Sequence, residues 1–320
     1  MRNFIRRANR LPVFAYPAYQ RLFPVLKSLA FALVSLFCFQ DHASAKEACL
    51  TCHESLANEK VVHAALKMGC QTCHTAIDAR EVPHKKSGKA PRGLSADQPG
   101  LCYGCHDKTR FMKPHVHAAV GMGCTGCHNP HSSKNPKLLL SEVPDLCYTC
   151  HDKKKFSGKS VHAPVGIGMC GSCHDPHASK NAKLLTAEQP DLCFTCHEQK
   201  GFGGKNIHAP VAGGMCLGCH RPHAAEFPVL LHKEPMDVCL ECHADVRKKP
   251  HAVSGFSPLG GHPLGEPKRM KQSRERKYLD DPSRPGRRFY CGSCHFPHGS
   301  DNPRLLRGTD FGLCQICHKK

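Results

Sequence analysis

The chain has 320 residues, a formal charge of +19, 40% hydrophobic and 7% aromatic residues, and no Trp. Its 23 Cys and 25 His are far above ordinary usage. Thin apolar content argues against an α/β enzyme built on long periodic segments, and the density of Cys and His argues against disorder. Something other than side chains must fill the interior.

The chain opens with Arg2, Arg6, Arg7, Arg10, Arg21 and Lys27, followed by the apolar run Leu29 to Phe39 and by Ala43-Ser44-Ala45. That order reads as a secretory signal peptide over 1–45 with a long basic region. The apolar run is about a dozen residues, short of the ~20 a spanning helix needs. The expected mature chain starts near Lys46, does not span the membrane, and resides in the periplasm. Cys38 lies inside the apolar run and carries no expected role.

Beyond the leader every cysteine falls into one motif, Cys-x-x-Cys-His, repeated eleven times. The copies are Cys49/Cys52/His53, Cys70/Cys73/His74, Cys102/Cys105/His106, Cys124/Cys127/His128, Cys147/Cys150/His151 and Cys170/Cys173/His174, then Cys193/Cys196/His197, Cys216/Cys219/His220, Cys239/Cys242/His243, Cys291/Cys294/His295 and Cys314/Cys317/His318. This is the attachment signature of haem c. Two thiols three positions apart on a helical turn can each add to a haem vinyl group, and the next residue projects an imidazole to the iron. Zinc ribbons and a disulfide framework are the alternatives. Neither requires a His after every second Cys. The expectation is eleven covalently attached haems c, with the eleven motif histidines as proximal ligands.

Motif spacing then divides the chain. A lone half repeat with the first haem occupies 46–69. Paired repeats at 70–249 hold haems 2–9, a Pro-, Gly- and Arg-rich insert covers 250–290, and a last pair, haems 10–11, occupies 291–320. From Cys124 to Cys170 to Cys216 the step is 46 residues, with two motifs 23 apart in each unit. The first motif of a unit is followed by x-Pro-His, at His131, His177, His223 and His298. Leu138-Leu139, Leu184-Leu185, Leu230-Leu231 and Leu305-Leu306 recur after it. Val62-His63-Ala64, Val116-His117-Ala118, Val161-His162-Ala163 and Ile207-His208-Ala209 lie upstream. The unit at Cys70 is looser, with Pro83-His84 as its nearest substitute for Pro-His.

These paired motifs, Pro-His histidines and His-Ala histidines over about 49–318 resemble the doubled-CXXCH multihaem cytochromes c, which include periplasmic decahaem cytochromes of metal-respiring bacteria and pentahaem electron donors of nitrite reductase. The resemblance implies electron transport and a mostly irregular, elongated fold of short α-helices, with stacked haems as the core and little or no β-sheet.

Repeat register selects His63, His84, His117, His131, His162, His177, His208, His223 and His298 as distal ligands, and His251 and His262 complete eleven. His115 and His232 have no equivalents in other units. His131 is three residues beyond His128, a reach of at most ~10 Å, too short to cap the same iron from the opposite face. Each Pro-His histidine is therefore expected to cap a neighbouring haem. Met68, Met122, Met169 and Met215, just before first-of-pair motifs, are expected to pack against haems as pliable fillers.

An iron held by two imidazoles offers no position to a substrate. The expected function is an undecahaem electron-transfer conduit in anaerobic or extracellular respiration, not an enzyme. Two other readings stand beside it: a multihaem reductase with one open haem, and the cytochrome subunit of an outer-membrane porin conduit. Expected partners are redox proteins, namely a quinol-linked donor, a terminal reductase or an outer-membrane cytochrome, with peripheral or porin association and no nucleic acid. Without its leader the chain keeps a charge of +14, much of which neutralises haem propionates. The segment 263–290, with nine Lys/Arg against four Asp/Glu, is the expected docking element for an acidic partner.

Overall fold

The computed structural model describes residues 49–247, 280–281 and 284–316. The leader, Cys317, His251, His262, His318 and most of the 250–290 insert lie outside the described residues. Two compact units are present, Met1–Ser55 and Leu56–Lys320. In the first, residues 49–53 around the Cys49 motif are helical. The rest of the architecture belongs to the second.

Nearly every element there is one turn long. First-of-pair motifs form 3₁₀ turns at Cys70–Thr72, Cys124–Gly126, Cys170–Ser172 and Cys216–Gly218. Second-of-pair motifs begin α-turns at Gly100–Tyr103, Asp145–Tyr148, Asp191–Phe194 and Pro235–Leu240. Pro99, Pro144 and Pro190 sit at the N-cap of the first three, and Pro235 is in the first turn of the fourth, where a fixed φ and a missing N–H suit a helix start. Isolated helices this short do not persist in water, so tertiary contacts must hold them.

Strands are two residues long and join one repeat to the next. Val61–Val62 pairs antiparallel with Ser132–Ser133, His115–Val116 with Ala178–Ser179, Ser160–Val161 with Ala224–Ala225, and Asn206–Ile207 with Gly299–Ser300. Each strand before a His-Ala histidine thus meets the strand after the next repeat's Pro-His. Gly158 and Gly204 permit this approach: a Cβ would lie 2.7 Å from the Ala225 carbonyl oxygen at Gly158, and 2.8 Å from the Ser300 carbonyl carbon at Gly204. The repeat at Cys70 has no such partner strand for its Ile77–Asp78, which closes on its own Lys85–Lys86 in a hairpin carrying His84. Two lysines on that hairpin edge discourage further strand addition.

The polypeptide has little core of its own. Ala178, Ala225 and Leu240 are its buried apolar residues among those described, beside buried polar Ser132, Ser133, Ser179 and Asn181. The fold is mostly irregular with very little sheet, as expected. One departure concerns the insert, whose end is ordered against the last repeat: Asp280–Asp281 pairs with Arg284–Arg288, and fully buried Asp281 accepts a 2.7 Å hydrogen bond from the Ser293 hydroxyl. No helix among the described residues is long and apolar enough to cross a membrane.

Candidate functional site

Each Cys-x-x-Cys-His is wound so that the His amide donates to the carbonyl of the first Cys, at 3.0 Å for His74 and His128 and 2.9 Å for His106 and His151. This winding directs the imidazole away from the two thiols. The expectation that both thiols of a motif ride on one helical turn needs correction for most of them. Both cysteines are helical in the Cys49/Cys52 and Cys291/Cys294 motifs. Elsewhere only the first lies inside its turn. Cys73, Cys127, Cys173 and Cys219 are the residues that end it. Cys105, Cys150, Cys196 and Cys242 stand one position further on, just past the C-cap. The cause is a shared acceptor: in these eight motifs the carbonyl of the first Cys takes the amide of the second Cys, at 3.2–3.4 Å, as well as that of the His. The turn is exhausted there, yet the second thiol stays tied to the first.

The described cysteines are thiols, not disulfides. Cys52, Cys105, Cys150, Cys196, Cys242 and Cys314 are exposed, open to alkylation by a vinyl group, whereas Cys73, Cys127 and Cys294 are half-buried. Burial and the adjoining Cys124 thiol push the Cys102 thiol up to about 11, and the same two causes raise Cys147 beside Cys170 and Cys193 beside Cys216. The neighbouring Cys291 thiol, with burial, raises Cys239. These pairs place the second motif of one repeat against the first motif of the next. The last pairing does so across the insert. Once alkylated as thioethers these sulfurs no longer titrate.

Motif histidines converge in twos with the distal candidates. His63 faces His106 and His117 faces His151, ring centres 6.0 Å apart; His162 faces His197 at 6.0 Å and His208 faces His243 at 6.1 Å. His131 faces His74 at 6.1 Å, His177 faces His128 at 5.9 Å, His223 faces His174 at 5.9 Å and His298 faces His220 at 6.0 Å. A metal–nitrogen bond of about 2 Å plus a ring radius of about 1 Å, taken on both sides, spans about 6 Å. The separation fits one metal between two imidazoles. No group of three or more His, Cys, Asp or Glu converges on a metal position among the described residues.

The pairing follows two rules. A His-Ala histidine faces the second motif of its own repeat. A Pro-His histidine faces the first motif of the preceding repeat. His131 opposes His74, not His128, as its short reach requires. The dipeptide Pro130-His131 serves both sites of the repeat before it. His131 supplies one ring, while the Pro130 carbonyl accepts Nδ1–H of His63 at 2.8 Å and the His131 carbonyl accepts the His63 amide at 2.8 Å. Pro176, Pro222 and Pro297 hold His117, His162 and His208 in the same way, each at 2.9 Å.

In the other four pairs the motif histidine is the one held. Nδ1–H of His74, His128, His174 and His220 donates to the carbonyls of Arg92, Lys137, Lys183 and Val229 at 3.0, 2.8, 2.9 and 2.9 Å, and His295 donates to Arg304 at 2.8 Å. All five carbonyls belong to non-glycine residues in the left-handed region, with φ between 51° and 58°. The following Leu138, Leu184, Leu230 and Leu305 are left-handed too, and Gly93 takes that place after Arg92. The recurring Leu pair thus marks a strained loop that aims a carbonyl at an imidazole. A carbonyl only accepts, so Nδ1 carries the proton and Nε2 keeps its lone pair for a metal. Every one of the eight pairs has one imidazole fixed this way. Burial also lowers the pKa of His131, His177, His223 and His298, with a contribution from the facing His in each, favouring the neutral, ligating form.

His84 donates or accepts at Nδ1 with the Glu81 carbonyl, 2.7 Å away, and faces none of the eight motif histidines above. Between His115 and His117, it is His117 whose ring meets His151. His232 is engaged at both nitrogens, by the Cys219 carbonyl and by Glu241, each at 2.9 Å, which gives it a structural role. The four methionines oppose no motif histidine in these pairs; imidazoles take those places. The sequence reading missed an aromatic series at fixed spacing. Phe111, Phe156 and Phe202 stand five residues after His106, His151 and His197 and touch His177, His223 and His298 with ring centres 5.0, 5.0 and 4.8 Å apart. The 46-residue alignment contained that signal.

Thiol pairs, one-turn motifs and facing imidazoles together define a multihaem c-type cytochrome, a protein of electron transfer. The family described as doubled CXXCH motif matches residues 63–111, 117–156, 162–202, 208–248 and 284–320, and the chain belongs to that family. Four of these matches begin on a His-Ala histidine and include both motif histidines of one repeat. Comparison with curated proteins finds no match.

Proposed function

We propose that the chain carries eleven haems c, each held by two imidazoles, and that it relays electrons between redox proteins in the periplasm without catalysing a reaction itself. The observation that supports this most is the set of eight histidine pairs at 5.9–6.1 Å, each joining a motif histidine to a distal candidate. Bound there, haem supplies one-electron exchange at iron. The paired imidazoles hold both axial positions, so no position is left for substrate. The backbone carbonyls fix ring orientation and raise ligand basicity. Three motif histidines, His53, His295 and His318, remain for three distal candidates, His84, His251 and His262.

The leader supports export, and a quinol-linked donor with a terminal reductase or an outer-membrane cytochrome as acceptor is the partner set of this reading. The basic segment 263–290 is its docking element. Reversing Arg284, Arg287 and Arg288 is expected to slow reduction by the partner and to flatten its salt dependence. Mass spectrometry of the exported protein, with its oxidised spectrum, tests the core of the proposal. Eleven haem additions and a wholly low-spin spectrum are expected. Fewer additions, or zinc in a colourless product, would overturn it, and a high-spin signal would favour a reductase with an open haem.

A further inference from the structure

The two classes of histidine pair differ in what holds the distal ring. His63, His117, His162 and His208 are fixed through Nδ1 to a proline carbonyl. His177, His223 and His298 have no such carbonyl bond, and each instead has a phenylalanine against it. Phe111 meets His177 at 69°, Phe156 meets His223 at 50°, and Phe202 meets His298 at 45°. Behind each phenylalanine stands a second aromatic that follows the first Cys of a second motif: Tyr103 at 5.6 Å, Tyr148 at 5.6 Å and Phe194 at 5.7 Å. The phenylalanine is thus a wedge with a backstop.

The wedge comes from a distant part of the repeat order. Phe111 belongs to the repeat of His74 and His106, His128 to the next, and His177 to the one after. Three consecutive repeats meet at one site, and the arrangement recurs with Phe156/His174/His223 and Phe202/His220/His298. Ring tilt follows the wedge. The two imidazoles are 22° apart where Phe111 presents its edge most steeply, and 42° and 43° apart where Phe156 and Phe202 lie flatter. In the pair His74–His131 the corresponding position is Asn58, no phenylalanine wedge is present, and the tilt is 17°.

We infer that Phe111, Phe156 and Phe202 are positioning residues that set the angle between the two axial imidazoles of a haem in the next repeat. This rests on the paired-imidazole reading proposed above. The angle between the imidazole planes decides which iron d orbital holds the unpaired electron of the oxidised haem. It is therefore visible by electron paramagnetic resonance and affects the reduction potential.

The test uses the full-length exported protein with its haems attached, as wild type and as Phe156→Leu, Phe156→Ala and Phe156→Tyr. If wild type lacks low-spin signals or the full haem mass, the underlying reading fails and not this inference. Given that reading, Phe156→Leu is expected to shift the signal of one haem toward the near-parallel type, with haem mass unchanged. Phe156→Ala is expected to release His223 enough for the reduced protein to bind carbon monoxide at one haem, and Phe156→Tyr to restore the wild-type signal. Should Phe156→Ala fail to mature, Phe156→Leu decides alone. A fully loaded Phe156→Leu protein whose resonance spectrum superimposes on wild type would overturn the inference.

Discussion

The first and second motif of a repeat present the same five residues, Cys-x-x-Cys-His, yet their surroundings are inverted. At the first motif the motif histidine is held by a strained loop of its own repeat, and its distal partner arrives from the next repeat with its Nδ1 free of backbone. At the second motif the partner is held, by the carbonyl of a proline in the next repeat, and the motif histidine is exposed. The inversion shows that one fixed imidazole per site is what the fold supplies. Which of the two is fixed depends on which chain segment passes nearby. It also shows that a repeat is incomplete alone, because the next Pro-His dipeptide finishes both of its sites.

Removing a distal ring breaks the comparison most directly. His177→Ala is expected to convert the His128 site, one repeat upstream, to high spin while the His174 site stays low spin. Combining His177→Ala with His174→Ala should therefore perturb two haems, and with His128→Ala only one, counted by carbon monoxide binding to the reduced protein. A smaller effect is expected from Gly158→Val, which drives a side chain into the Ala225 carbonyl. It should cost about 1–3 kcal/mol through overpacking at a repeat junction. Denaturant titration measures the loss, and the His162 and His223 sites should be the ones whose spectra change.

Inside a repeat the expected effects are milder and confined to the first site. Asn181 donates Nδ2–H to the Leu185 carbonyl at 3.0 Å beneath the strained loop, so Asn181→Ala should lose about 1 kcal/mol. In the following repeat Ala225 and Phe227 stand where Ser179 and Asn181 stand, and that loop lacks both side-chain bonds. There Val229, a β-branched residue, sits at φ 51°. Val229→Gly removes a left-handed penalty of about 1–2 kcal/mol against an entropic loss of roughly 0.5–1 kcal/mol. A net gain of up to about 1 kcal/mol in unfolding free energy is expected from denaturant titration, with the His220 site unchanged in spin state. A loss of stability would show that the loop is not strained as its dihedrals indicate.

Much of this was legible in the residues. The eleven motifs give the cofactor class because thioether attachment and axial ligation have a fixed local spacing. The 46-residue step separates repeated histidines from His115 and His232, and chain reach forbids His131 from capping its own iron. The Leu pairs and the Phe series were equally periodic, yet their meaning depends on backbone dihedrals and on contacts across two repeats. The repeat at Cys70 illustrates the gap. Arg92-Gly93 performs the task of Lys137-Leu138, but extra residues between motif and loop, including the His84 hairpin, hide the correspondence in a linear alignment.

Amino-acid order alone determined what the chain attaches to and how often, because that chemistry is written within five consecutive residues. Only the tertiary structure decided which histidine faces which, since partners lie 43 to 78 residues apart in sequence for the pairs His63–His106 and His220–His298. Two-residue strands and a single proline carbonyl choose between candidates that composition and spacing leave equivalent. Those choices are made by packing between repeats.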